Sequence, residues 1–372
     1  MSAQPQPLTK SRRNPKINAA QNVRVMLVDD SIVARAILER ILDSEEDFSI
    51  VASLPNAADA IDALTHIAPD IILLDIEMPG MSGLAALPLI LNKSRGARVL
   101  ILSANCVDGG PAAIEAMARG AADTMVKPGR GTFSGMFSRT LVERIRALSQ
   151  IAPSQIAPSP PPVLPIGVAP QQSVRAQGIS AIGIGASTGG IMAINAFLGA
   201  LPPAMDCPIF ITQHLPGGFM PYFAEQLRRL LGRTVMVVED GMIVAPGIVY
   251  LASGEGHISL SGGTKKRIYI DRSPSESGAT PSVDPMLAAL AEHYGKSACG
   301  VMLSGMGRDG LTGARRLRAA GGLMMAQDME SCVVWGMPGA VVRAGLADAV
   351  QNPVALANIA GAAGAINVSS AA

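Results

Sequence analysis

Val23-Arg-Val-Met-Leu-Val28 runs straight into Asp29-Asp30, and three later stretches repeat that design. Ile71-Ile-Leu-Leu74 ends in Asp75, Val99-Leu-Ile-Leu102 in Ser103, and the apolar stretch around Met125-Val126 in Lys127-Pro128. After the first run, Val33, Ile37 and Ile41 recur at helical spacing, and Ala57 to Ile67 reads as a second helix closed by Pro69. Strands alternating with helices predict a parallel sheet covered on both faces. In such a sheet the carboxyl ends of the strands share one edge, where ligands bind. Asp29, Asp30, Asp75, Ser103 and Lys127 therefore meet in one crevice. Crowded carboxylates repel unless a hard cation joins them, and Mg2+ with oxygen ligands suits the set. One carboxylate can then attack a phosphoryl group, while cation, hydroxyl and ammonium neutralise its oxygens. Taken singly, an Asp at a strand end is more often a turn or cap residue, and Ser31 fits a cap for the next helix. The set together outweighs that bland reading.

Working outward, residues 1–22 carry Lys10, Arg12, Arg13 and Lys16 with no apolar stretch behind them. That predicts a disordered tail rather than a secretory signal. From about Ser149 to Gly178, prolines crowd among Gln, Ser and Ala, and periodicity vanishes. Such a stretch cannot bury enough apolar surface to fold, so it reads as a spacer between domains. Beyond it the strand–helix rhythm resumes, with strands at Ile179–Gly185, Pro208–Thr212, Val235–Val238 and Ala298–Leu303. Val249–Leu251 and Ile258–Leu260, joined by Ser253-Gly-Glu-Gly256, suggest a hairpin on the flank of the sheet.

Polar residues again stand at strand ends. The first strand of this half runs into Gly185-Ala-Ser187-Thr-Gly-Gly190, the second into Gln213-His214, and a later one into Ser304-Gly-Met-Gly-Arg-Asp309-Gly. If these strands are parallel, Ser187, His214 and Asp309 share one edge as nucleophile, base and orienting carboxylate. Triads are recognised by role and geometry, so this chain order is allowed. Ser187 precedes a predicted helix whose free N–H groups could stabilise an oxyanion. Two competing readings stay open: a glycine-rich dinucleotide loop, which would want an acid where the chain has Gln213-His214, and a His214 that is only structural. His257, by a turn between short strands, reads as a surface or packing residue, and Met324-Met325 as core filler.

The chain has 372 residues, enough for two domains, and 49% are apolar, so large cores can form. Aromatics are only 3%, which leaves Ala, Val, Ile, Leu and Met to fill them. A net charge of +1 gives no reason to expect nucleic-acid binding. No apolar run reaches membrane-spanning length, so no direct insertion is expected. Cys106, Cys207, Cys299 and Cys332 are scattered without metal-like spacing, which suits reduced thiols and a cytoplasmic location.

The segment from Val23 to Leu148 resembles the receiver domain of response regulators. The resemblance implies that Asp75 is the phosphoacceptor. It also implies that Asp30, Asp75 and the backbone carbonyl of Glu77 hold Mg2+, with Asp29 completing the cluster, and that Ser103 and Lys127 contact the phosphoryl group. Receivers often carry an aromatic three residues before the lysine, and here that position is Thr124. The second half resembles the catalytic domain of chemotaxis protein-glutamate methylesterases. It does so through Ile184-Gly-Ala-Ser-Thr-Gly-Gly190, Gln213-His214, Ala245-Pro-Gly-Ile-Val-Tyr250, Pro281-Ser-Val-Asp-Pro285, Leu303-Ser-Gly-Met-Gly-Arg-Asp-Gly310 and Gly336-Met-Pro338. That likeness implies a Ser187–His214–Asp309 triad with Met306 near the reaction centre and no cofactor in this half. It also implies a chemotaxis histidine kinase as phosphodonor and methylated chemoreceptors as substrate, with deamidation of glutamines a further activity in the family.

The expected architecture is thus two doubly wound parallel-sheet α/β domains. A flavodoxin-like receiver spans 23–148, a linker 149–178, and a Rossmann-like esterase domain 179–368. The unphosphorylated receiver is expected to dock over the Ser187 edge and obstruct it. The alternative is a phosphorylation-controlled receptor-binding module without catalysis.

Overall fold

A computed structural model describes residues 22–103, 110–127, 135–149 and 178–364. The expected tail and linker, apart from their end residues, lie outside this set, as do Cys106 and residues 365–368 of the expected catalytic domain.

The N-terminal half alternates strand and helix throughout. Its strands are β1 (Val23–Val28), β2 (Phe48–Leu54), β3 (Ile71–Asp75), β4 (Arg98–Ser103) and β5 (Asp123–Val126). Its helices are α1 (Ile32–Asp43), α2 (Ala57–Ala63), α3 (Gly83–Lys93), α4 (Gly110–Ala118) and α5 (Gly135–Ser149). All pairings are parallel, in the order β2-β1-β3-β4-β5. This is the flavodoxin-like order, whose ligand crevice lies at the β1/β3 switch. β3 is buried along its whole length, so it reads as an unbroken apolar run rather than an alternating one. Ser31 caps α1 by accepting from the Ala34 N–H, so the residue after Asp30 starts the helix.

The second half builds a seven-stranded, all-parallel sheet. Its elements run β6 (Ala181–Ala186), α6 (Gly190–Ala200), β7 (Ile209–Gln213), α7 (Met220–Leu231), β8 (Val235–Val237) and β9 (Val249–Leu251). Then come β10 (His257–Ser261), β11 (Arg267–Asp271), α8 (Val283–Tyr294), β12 (Ala298–Met302), α9 (Leu311–Ala319), β13 (Leu323–Gln327), α10 (Met337–Arg343), β14 (Ala349–Gln351) and α11 (Pro353–Gly364). The sheet order is β14-β13-β12-β6-β7-β9-β8. The register puts Ala186 beside Gln213 and Gly185 beside Met302, so the chain leaves β6, β7 and β12 at one edge.

The hairpin expected between Val249–Leu251 and Ile258–Leu260 is not formed. β9 lies in the main sheet, parallel to both β7 and β8, while β10 pairs with β11 in a separate antiparallel ribbon. Three residues of strand cannot encode which neighbour they will pair with, and the long-range parallel pairing wins.

The halves are packed together. α4 of the first lies against α6 and α7 of the second. Ala113, Ile114 and Met117 belong to the same apolar cluster as Ile194, Phe219, Met220 and Phe223. On the other flank, Phe137 and Leu141 of α5 share a cluster with Val333 and Val334, which precede α10.

Candidate functional site

At the receiver edge, the strand ends deliver the expected acids. One oxygen from each of Asp29, Asp30 and Asp75 lies within 4.8 Å of the others. Lys127 Nζ sits between them, 2.6 Å from Asp29 Oδ2 and 2.9 Å from Asp75 Oδ1. Asp29 and Asp75 are buried, while Asp30 is exposed. Burial pushes the Asp75 carboxyl up to about 6 against the pull of Lys127, and the nearby Asp29 adds to the rise. The Glu77 N–H opposes it by hydrogen bonding to Asp75. Asp29 Oδ2 and Asp75 Oδ1 find no well-aligned hydrogen bond beyond the ion pair with Lys127. Oxygens on one octahedral Mg2+ lie about 3–4 Å apart, so the spacing and unsatisfied buried oxygens of this set fit that ion. Ser103 ends β4 fully buried, with its Cα partner Val126 one residue before Lys127.

The second constellation is built by the edge of the larger sheet. Ser187 follows β6, its N–H donating to the Ser304 carbonyl at 3.0 Å. Gln213 Nε2 donates to the Ser187 carbonyl at 2.8 Å, and the His214 N–H donates to Ala186 O at 3.0 Å. These bonds hold the serine turn against the end of β7. Gly189 has φ 75°, a left-handed value, and a Cβ there would lie 2.4 Å from Val333 Cβ and 2.8 Å from Ser304 Oγ. The tight turn into α6 therefore excludes a side chain. Ser304 locks the same turn from below: its hydroxyl donates to Thr188 O at 2.8 Å and accepts from the Val334 N–H at 3.0 Å. Gln327 Oε1 accepts from the Ser304 N–H at 2.7 Å.

Asp309 is buried at the N-terminus of α8. It accepts from His214 Nε2–H at 2.7 Å, from the Ser282 hydroxyl at 2.6 Å and from the Val283 N–H at 2.7 Å. Burial alone would raise its carboxyl, but His214, Ser282 and Val283 together outweigh it and hold it well below the usual carboxylate range. The His214–Asp309 half of the expected triad is thus assembled. Among the described residues no hydrogen bond joins Ser187 Oγ to His214, although the two residues follow paired strand ends. Apo sites commonly leave this contact long. A side chain at Gly305 would come within 3.0 Å of Ser187 Cβ, and Met306, the residue after Gly305 in the chain, is 36% exposed.

The sequence reading missed four participants. Ser282 and Ser304 lie inside stretches singled out for the family resemblance but received no role. His257 is 2% exposed with both ring nitrogens engaged, so it is an interior residue. Asp123, at the start of β5 and 8% exposed, accepts at Oδ2 from Thr188 Oγ1 at 2.7 Å and from Arg144 Nη1 at 2.6 Å. Beside it, the Gly189 N–H donates to the Ala122 carbonyl at 2.8 Å. The receiver therefore touches the turn that carries Ser187.

Residues 182–360 match the CheB methylesterase family model, and residues 25–132 match that of the response regulator receiver domain. A protein from Paramagnetospirillum magneticum named protein-glutamate methylesterase/protein-glutamine glutaminase 1 is 38% identical, the match covering 89% of this chain and 93% of that protein. The chain belongs to this family. A Thermotoga maritima protein named protein-glutamate methylesterase/protein-glutamine glutaminase is 35% identical over 88% of this chain and 94% of its own length. Among solved structures, the T. maritima CheB methylesterase catalytic domain matches 49% of this chain and 96% of its own at 36% identity, with a TM-score of 0.47. The T. maritima CheB response regulator domain matches 36% of this chain and 100% of its own at 35% identity, with a TM-score of 0.32. No described helix is long and apolar enough to cross a membrane.

Proposed function

We propose that this enzyme hydrolyses glutamyl methyl esters on chemoreceptors, and deamidates receptor glutamines, through Ser187, His214 and Asp309. The observation that carries the assignment is the hydrogen bond between half-buried His214 and buried Asp309, beside the Ser187 turn. Ser187 Oγ attacks the ester carbonyl carbon. With Nε2 committed to Asp309, Nδ1 of His214 takes the hydroxyl proton and then delivers it to departing methanol. A water, deprotonated by the same nitrogen, breaks the acyl bond and releases the glutamate carboxylate. For glutamine the leaving group is ammonia. Asp309 stays ionised and stabilises the imidazolium, a role suited to an anion held by three donors. Donors near the entrance of α6 stabilise the oxyanion, and Met306 borders the reaction centre. Treating the phosphodonor-activated chain with a fluorophosphonate probe tests this. Mass mapping should place the label on Ser187, and absence of label there would sink the assignment.

The control element of this reading is the N-terminal receiver, with domains at 23–148 and 179–368 joined by 149–178. Asp75 accepts a phosphoryl group from a chemotaxis histidine kinase in the cytoplasm, and Ser103 and Lys127 contact its oxygens. Asp29, Asp30, Asp75 and the Glu77 carbonyl would hold Mg2+, which supplies charge neutralisation when bound. In the closed arrangement the Ala122 carbonyl occupies the Gly189 N–H and Asp123 occupies the Thr188 hydroxyl. Both groups flank the nucleophile, so docking blocks the protein-sized substrate and ties up donors at the turn. Phosphorylation shifts the population toward an undocked form.

A further inference from the structure

The Asp309 carboxylate is held by more than the imidazole it serves. Its Oδ1 takes the Ser282 hydroxyl, and its Oδ2 takes the Val283 N–H, the first N–H of α8. Ser282 is the N-cap of that helix, its hydroxyl also accepting from the Asp284 N–H at 3.3 Å. A carboxylate at a helix N-terminus gains from the dipole and the unpaired donors there. The remaining question is what fixes Ser282. Its own N–H donates to His257 Nδ1 at 2.9 Å, and His257 Nε2–H donates in turn to the Ser273 carbonyl at 2.8 Å. Ser282 is fully buried and His257 nearly so. The two bonds require one neutral tautomer, with the proton on Nε2, because Nδ1 faces an N–H donor. His257 stands on β10, in the antiparallel ribbon outside the catalytic sheet, so this side chain ties a second structural unit to the N-terminus of α8, which holds Asp309.

Resting on the triad reading above, we propose that His257 and Ser282 are positioning residues. His257 anchors the Ser282 backbone, and Ser282 aims the Asp309 carboxylate at His214. Neither touches substrate. Outer-shell partners of this kind, when removed from ligated histidines, cost roughly 10–100-fold in activity, and that range is expected here in kcat with KM little changed.

The atoms of His257 allow a discriminating pair of variants. His257→Asn keeps an acceptor where Nδ1 sits and loses the Nε2 tether to Ser273. His257→Gln keeps a polar atom near Nε2 and loses the acceptor for the Ser282 N–H. Methanol release from a receptor methylated on glutamate, with Mg2+ and acetyl phosphate present, should be near wild type for His257→Asn. It should fall at least about tenfold in kcat for His257→Gln and for Ser282→Ala. A second readout does not depend on turnover: the downfield NMR resonance of the proton between His214 and Asp309. It should persist in wild type and His257→Asn, and shift or vanish in His257→Gln and Ser282→Ala. Ser282→Ala also removes a helix cap and will lower the melting temperature, but capping alone does not move this resonance. The proposal is overturned if Gln serves as well as Asn. It is equally overturned if the weakened variants keep the wild-type resonance. If Ser187→Ala still releases methanol, the triad reading fails instead, and the resonance still reports whether Asp309 is positioned as argued.

Discussion

Asp123 offers the sharpest test of how the receiver restrains the esterase. In the docked form its Oδ2 accepts from Thr188 and from Arg144. Arg144 belongs to the receiver itself, so that pair survives undocking, and only the Thr188 bond is gained on closure. A hydrogen bond to a charged group contributes about 1.5–3 kcal/mol. Removing it with Asp123→Ala should shift the docking equilibrium by about 10- to 150-fold toward the open form. One effect works against this: closure buries the Asp123 carboxylate, and the variant no longer incurs that desolvation. Leaving Arg144 without its carboxylate works the other way, though weakly, because it keeps partial solvent contact and its bond to the Thr124 carbonyl. We therefore expect the lower end, about a tenfold rise in methanol release without any phosphodonor. The rate with acetyl phosphate and Mg2+ sets the ceiling and should equal that of wild type. An unstimulated rate within twofold of wild type, in a chain that acetyl phosphate still activates, would refute the latch.

Three further expectations follow from the same geometry. Ser187→Ala should release no measurable methanol even with phosphodonor, since a triad lacking its nucleophile retains only the modest catalysis of its donors. Asp75→Asn should lose stimulation by acetyl phosphate and Mg2+, and stimulation equal to wild type would remove Asp75 as the acceptor. Asp309 has a folded pKa below its unfolded value of about 3.9. Its anion therefore adds stability that is complete above that unfolded value and is lost as pH falls through the lower folded one. The difference in urea midpoint between wild type and Asp309→Asn should shrink as the pH falls below about pH 4.

Both sheets could be read from the sequence because buried parallel strands are continuous apolar runs and their polar terminators mark one edge. β3, with Ile71 to Leu74 ending in Asp75, is the clearest case. Met324 and Met325 are fully buried in β13, the core role expected of them. β11, whose Tyr269 and Arg267 face solvent, carries no such run, and so β10 was given the wrong partner. The acids and the lysine of the receiver edge were legible for the same reason as the strands. Asp123 was not. Its partner Thr188 is 65 residues away in another domain, and only the docking of two finished folds brings them together. His257 was hidden differently: a histidine in a short strand has no periodic signature, and its value comes from two bonds to backbone atoms.

The absence of an aromatic at position 124 sharpens the question of how phosphorylation reaches the latch. β5 connects the two ends directly: Lys127 pairs with Asp75 just beyond its last residue, and Asp123 holds Thr188 at its first. Thr124 sits between them, buried, with its carbonyl accepting from Arg144 and its N–H donating to Asp123 Oδ1. Its hydroxyl has no hydrogen-bond partner among the described residues. The backbone of Thr124 is thus part of the latch while its side chain does nothing polar. A strand of this length spans about 13 Å at 3.3 Å per residue, and we propose that it carries a shift at Lys127 to Asp123 without a rotating ring. Thr124→Val replaces an unsatisfied buried hydroxyl by a methyl of similar volume. Stability should be equal to wild type or higher by up to about 1–3 kcal/mol. Stimulation by acetyl phosphate should be unchanged. Thermal denaturation and methanol release check the two halves separately. Loss of stimulation in a variant that remains folded would mean that the hydroxyl, and not the strand, carries the signal.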